Sequence, residues 1–312
     1  MQDSNENKSE IFRGTRKGVR CSSPTNLNRL YFHHMVGTGG NTFTNALAAS
    51  TPNLKIVQIT DGAHGISVGD TSLLTSDMDR KLFYGHNLFG LLEKAGINDR
   101  YFTMLRNPYD RLITDFFWLF GNMKTILFGE AKPPIRSLPI IAFFKKHLHE
   151  PEMITAHQAM VSFGKFVDVS DHLEFYIHHC GPLNFDNAQH FQIGECSILS
   201  NAAANELARN NLDNKFWLVG ITELFEESLF VAAANINIQK IHPWWTCSRP
   251  RTPFRPAFMD LSRNLRSAIE KKTGYDMALY EDYRRKFETR FQAEVNVPEF
   301  VSYFNEGHPC LI

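Results

Sequence analysis

The chain is predicted to be an α/β protein, a three-layer fold with a central, mostly parallel sheet flanked by helices. Three observations lead there. Short β-prone apolar runs alternate with stretches of helical periodicity, the order expected of parallel strands joined by crossover helices. Two of those runs end abruptly in a glycine- or proline-marked turn and pass straight into a helix. The chain has 312 residues, 43% of them hydrophobic and 21% charged, which suits one large core.

Residues 1–27 are polar, rich in Ser, Asn, Lys and Arg and without periodicity, and read as a flexible N-terminal arm. The domain, predicted over 28–295, begins with an apolar strand at 30–36 that stops at Gly37, Thr38, Gly39 and Gly40. A helix follows over 41–49, with Phe43, Leu47 and Ala48 as its apolar positions. Further strands are expected at 54–59, at 81–84 where Gly85 ends the run, and at 101–105, which leads directly into Arg106, Asn107 and Pro108. Pro108 suits the first turn of a helix over 109–120, whose apolar face comprises Leu112, Ile113, Phe116, Phe117 and Phe120. Residues 130–190 hold short helical patterns at 140–147, 152–161 and 172–177 between polar breaks, and read as a helical insertion or lid. A strand at 216–220 precedes a helix over 224–234, with Thr222 as its candidate cap. After a Pro- and Arg-rich loop at 243–256, amphipathic helices are expected at 259–272 and 276–294, then a tail at 296–312.

Composition narrows the function classes. Lys and Arg number 33 and Asp and Glu number 33, so bulk charge does not favour a nucleic-acid partner. No run approaches the roughly 18 apolar residues of a membrane span, and the first residues lack the apolar centre of a signal peptide, so a cytoplasmic protein is expected. Five scattered cysteines without a C-x-x-C pair point to reduced thiols. The pairs His33/His34, His147/His149 and His178/His179 lack a third ligand at helical spacing and read as structural or surface residues, so no metal is expected.

Two turns carry chemistry. The P-loop-like segment Gly37, Thr38, Gly39, Gly40, Asn41, Thr42 offers backbone N–H groups, a helix start and two hydroxyls to a phosphate. It is not a Walker motif, because Asn41 stands where that motif requires Lys. In the second turn, Arg106 at a strand end and Thr114 on the following helix can hold another phosphate through a guanidinium fork and a hydroxyl. Arg111 fits equally well a surface pair with Asp110 or Asp115.

The glycine loop after the first strand, paired with R-x-P-x-x-R-x-x-T after a later one, resembles the sulfotransferases that use 3′-phosphoadenosine 5′-phosphosulfate (PAPS). The likeness is to the branch containing heparan sulfate 2-O-sulfotransferase and its bacterial relatives. Four further stretches agree in order over about 30–290: Tyr84-Gly85-His86, Asp186-Asn187-Ala188-Gln189, Val219-Gly220-Ile221-Thr222-Glu223 with Glu227-Ser228-Leu229, and Asp276 with Leu279-Tyr280. The resemblance implies that residues 37–42 bind the 5′-phosphosulfate, that Arg106 and Thr114 bind the 3′-phosphate, and that His86 takes the acceptor's proton during in-line attack on sulfur. An imidazole of ordinary pKa about 6.5 suits that task. Asn187 and Gln189 become candidate substrate contacts.

This chain departs from the family at one position. Val36-Gly37 stands where the family has Pro-Lys, and that Lys normally offsets charge on the leaving phosphate. Three explanations are open: another cation substitutes, His33 or His34 shares the role, or transfer is slow or lost. The preferred cations are Arg249, Arg251 or Arg255 of the Arg-rich loop, with Arg13, Arg16 and Lys17 of the arm as alternatives. Zero net charge favours a small acceptor, such as a secondary metabolite, over a polyanionic polysaccharide. Trp244 and Trp245, after Pro243, can wall its pocket beside His34, and Asp61, Asp70 and Glu195 are candidate counter-charges for a cationic one. A nucleotide kinase, a carbohydrate sulfotransferase and a catalytically impaired binder of PAPS or its product PAP are the rival readings.

Overall fold

A computed structural model describes residues 27–35, 37–51, 53–60, 66–67, 74, 80–85, 88–121, 160–161, 163–165, 167, 201–238, 241, 255–295 and 300. The strands are β1 (Arg29–His33), β2 (Lys55–Thr60), β3 (Ile66–Ser67), β4 (Lys81–Gly85), β5 (Tyr101–Leu105) and β6 (Phe216–Ile221). They form one sheet in the order β3-β2-β4-β1-β5-β6, and every neighbouring pair is parallel. Five strands make the body of the sheet, and the two-residue β3 extends its edge. The helices are α1 (Gly40–Ser50), α2 (Leu91–Lys94), α3 (Pro108–Gly121), α4 (Asn201–Lys215), α5 (Phe225–Asn235), α6 (Arg263–Lys272) and α7 (Gly274–Glu294).

The strand sequences explain the central positions. All five residues of β5 are buried, as are four of five in β1, which is what continuous apolar runs give when helices cover both faces of a sheet. Phe32, Phe43, Phe102, Trp217, Leu229, Tyr280 and Phe287 belong to a single core that joins the sheet to α1, α5 and α7. Leu112, Ile113, Phe116 and Phe117 of α3 face a second apolar cluster with Phe163, Val167, Leu261 and Ile269. Four of the five residues predicted for this helix's apolar face are therefore buried, and the Phe120 side chain lies outside the described ones.

Several details differ from the sequence reading. Residues 259–272 are not one helix: a 3-10 turn (Phe258–Asp260) precedes α6, and the Ser262 hydroxyl accepts from Leu265 N at 3.4 Å to start the helix afresh. Arg111 does not lie on the surface; it is 1% exposed and among the largest fully buried side chains. Helix α4 was not expected, because its buried side is made of Ala204, Ala208, Asn211 and Leu212, too small and polar to show periodicity. The four-residue α2 is capped from a neighbouring strand: the Tyr101 hydroxyl accepts from Gly90 N and Leu92 N, both at 3.0 Å, and donates to Glu93 at 2.8 Å. Burial first, and then the Glu93 charge, push the Tyr101 phenol up.

Residues 1–26 of the predicted arm, nearly all of the 130–190 insertion, most of the tail and all five cysteines lie outside the described residues. No described helix is long and apolar enough to cross a membrane.

Candidate functional site

In a parallel sheet, ligands bind beyond the carboxyl ends of the strands, near the point where the strand order turns back. Here the chain steps from β1 outward to β2, returns to β4 at one side of β1, and then places β5 at the other side. The carboxyl ends of β4, β1 and β5 are consequently neighbours. His33 lies opposite Gly85 in β4 and opposite Thr103 in β5. His34 N donates to Gly85 O at 3.1 Å, carrying the pairing one residue past the strand.

The turn after β1 is shaped by its backbone. Gly37 has φ 77° and Gly39 φ 79°, left-handed values that glycine adopts without steric cost. Thr38 is buried and its hydroxyl donates to Met35 O at 2.8 Å, so this hydroxyl braces the turn and does not reach outward. Phe43 N donates to Gly39 O at 3.1 Å and opens α1. What the turn offers an anion is the start of a helix whose first amides have no intrahelical acceptor, with the positive end of its dipole. Asn41 is exposed and Thr42 half-buried on that first turn.

His34 is held tightly against the same turn. A Cβ at Gly40 would lie 2.1 Å from His34 Cδ2 and 2.5 Å from Nε2, so only glycine leaves room for the ring. The imidazole is 6% exposed and lies between Phe32, stacked at 5.8 Å, and Tyr84, tilted at 6.4 Å. It is a built part of the loop's base and not a surface histidine.

The turn after β5 is shaped by side chains. Arg106 Nη1 donates to Gly37 O at 2.8 Å, which brings the guanidinium onto the glycine turn. Asn107 Oδ1 accepts from Tyr109 N at 2.9 Å and Asp110 N at 3.4 Å, capping α3 ahead of Pro108 in the first turn. Thr114 Oγ1 donates to Asp110 O at 2.6 Å. That hydroxyl can accept from a ligand as it stands, but to donate to a phosphate it has to release the carbonyl.

The end of β6 joins these turns. Thr222 was expected to cap α5; its hydroxyl instead lies 2.7 Å from Thr38 O and 2.9 Å from Leu105 O, and no side-chain cap bond forms there. Glu223 Oε1 accepts from Asn107 N at 2.9 Å, and Oε2 accepts from the Tyr280 hydroxyl of α7 at 2.9 Å. Burial, followed by the Glu223 charge, pushes the Tyr280 phenol well up. Ser228 closes the same corner: its Oγ accepts from Ile221 N at 2.8 Å and donates to Ile221 O at 3.1 Å. A Cβ at Gly220 would meet Met104 Sδ at 2.5 Å and Ser228 Cβ at 3.0 Å.

The fold thus brings together His34, Gly37, Thr38, Gly39, Gly40, Asn41, Thr42 and Arg106, with Thr114 on the helix that follows. His86, Asn187, Gln189, Trp244, Trp245, Arg249 and Arg251 lie outside the described residues, as do Arg13, Arg16 and Lys17 of the arm. Arg255 is described and half-buried. Sequence reading did not assign Asn107, Thr222, Glu223 and Tyr280 to one network; the signal available for Asn107 was its place before a helix-starting proline. Among the described residues no group of three His, Cys, Asp or Glu side chains forms a metal cluster. No protein-family model matches the chain, and no curated protein matches it either.

Proposed function

We propose that the protein is a PAPS-dependent sulfotransferase acting on a hydroxyl or amine of a small acceptor. The observation that supports this best is the pairing of two anion-binding elements at neighbouring strand ends: the left-handed glycine turn that opens α1 and the guanidinium of Arg106 bonded to it. A nucleotide carrying phosphate groups at two positions fits such a pair, one group on backbone amides and the other on side chains. PAPS supplies a sulfo group already joined to a good phosphate leaving group.

In this reading the amides of 37–42 grip the 5′ side of the nucleotide, and Arg106 and Thr114 address its 3′-phosphate. His86 follows directly on Gly85, the last residue of β4, and is assigned as general base. The acceptor oxygen or nitrogen attacks sulfur, the bond from sulfur to the bridging phosphate oxygen breaks, and the acceptor proton passes to His86. The remaining product is PAP.

Thermal shift is the first test: PAP raises the melting temperature and ATP does not. Incubation with PAPS and a mixture of hydroxyl and amine acceptors then yields a product heavier by one sulfo group. His86→Ala keeps PAP binding and loses turnover at least 100-fold. A shift with ATP alone would identify a kinase instead. Gly37 supports a second reading, a PAP- or PAPS-binding protein without turnover, which predicts the PAP shift with no sulfated product from any acceptor.

A further inference from the structure

We propose that Arg106 supplies the positive charge of the glycine turn itself, doing at Gly37 what a loop lysine does elsewhere, in addition to any contact with a 3′-phosphate. The inference rests on reading this turn as the seat of the nucleotide's 5′ phosphate group. Three observations lead to it.

First, Gly37 takes φ 77°. A lysine there would sit in the left-handed region at a cost of about 1–2 kcal/mol to an L-residue, so this form of the turn disfavours a cation on its own backbone at that position. Second, Arg106 Nη1 donates to the carbonyl of Gly37 at 2.8 Å, so a guanidinium stands one hydrogen bond from the residue that lacks a charged side chain. Third, the arrangement is tied twice. The Thr222 hydroxyl reaches Thr38 O, one residue after Gly37, and Leu105 O, one residue before Arg106. The two backbones therefore stay adjacent through a bond that does not involve the guanidinium.

The test measures affinity for three probes by calorimetry: PAP, AMP with its single 5′-phosphate, and inorganic pyrophosphate. Three variants are compared with the unmodified protein, and a thermal melt establishes folding for each. Arg106→Ala removes charge and tether; Arg106→Gln keeps an amide donor for Gly37 O without the charge; Arg106→Lys keeps the charge. The expected result is a loss of about 10- to 100-fold for AMP and pyrophosphate in the Ala and Gln variants, with Lys retaining most of the affinity. If the Ala and Gln variants bind AMP and pyrophosphate unchanged and lose only PAP, Arg106 serves the 3′-phosphate alone and the inference is overturned. If the unmodified protein binds pyrophosphate in an Arg106-dependent way but prefers neither nucleotide, the inference stands and the PAPS reading fails. Binding of none of the three probes overturns both.

Discussion

The turn after β1 and the turn after β5 are neighbours at the carboxyl end of the sheet, and they are built by opposite means. The first relies on backbone: two left-handed glycines, a helix start, and a threonine hydroxyl turned inward to Met35 O. The second relies on side chains: Arg106 reaches across to Gly37 O, Asn107 caps α3, and Glu223 holds the Asn107 amide. A backbone turn tolerates few substitutions because its shape is the function. A side-chain turn is easily weakened, but each contact can be removed separately and measured.

The sharpest way to break the backbone turn is Gly40→Ala. The new Cβ would overlap the His34 ring, and overpacking of this kind costs about 1–3 kcal/mol. Chemical denaturation should show a loss at the upper end of that range, and adding His34→Ala should recover much of it. Equal stability of Gly40→Ala and the unmodified protein would mean that the ring is not fixed there. Next in size is Thr222→Val, which removes the hydroxyl joining Thr38 O to Leu105 O and leaves partly buried carbonyls without their donor. The expected cost is about 1–3 kcal/mol, with Thr222→Ser near the unmodified value.

Tyr280→Phe tests the brace behind the side-chain turn. Loss of the bond to Glu223 should cost about 1 kcal/mol at neutral pH. It should also alter the alkaline limb of stability. Burial and Glu223 raise the folded phenol above the ordinary tyrosine value of about 10, so its contribution is complete below that pH and is lost as pH rises beyond it. Denaturation midpoints from pH 8 to 11 should therefore fall less steeply in the Phe variant. The smallest effect belongs to a remote control, Lys286→Ala on α7. This ammonium pairs with Asp213 at 3.0 Å and Asp282 at 3.4 Å, and at 47% side-chain exposure the pairs should be worth less than about 1 kcal/mol with no change in anion affinity.

The sequence was most legible where one residue type has one physical reason to be present. Apolar runs ending in Gly37, Gly85 or Asn107-Pro108 disclosed β1, β4 and β5 and the two turns, because strand length and helix-start chemistry are local. Helix α4 stayed hidden because Ala204 and Ala208 bury small surfaces that composition does not distinguish from a polar linker. The break before α6 was visible in principle, since Ser262 is a cap residue, but the apolar spacing on either side masked it. For Arg111 the sequence leaves a surface pair open, because charge suggests exposure, while α3 buries that position. The link from Arg106 to Gly37 O spans 69 residues and depends on β5 lying beside β1, which no local pattern records.

The Thr222 tie also bears on when the site comes into being. Thr222 is 184 residues from Thr38 and 117 from Leu105, so the bond that keeps the two turns adjacent joins the first strand to the last one described. Contacts of such separation form late, after the closure entropy of the intervening chain has been overcome. During synthesis, the glycine turn and Arg106 emerge from the ribosome long before β6, and they stay without this tie until that strand docks. The geometry of the proposed anion site should therefore be completed among the last events of folding.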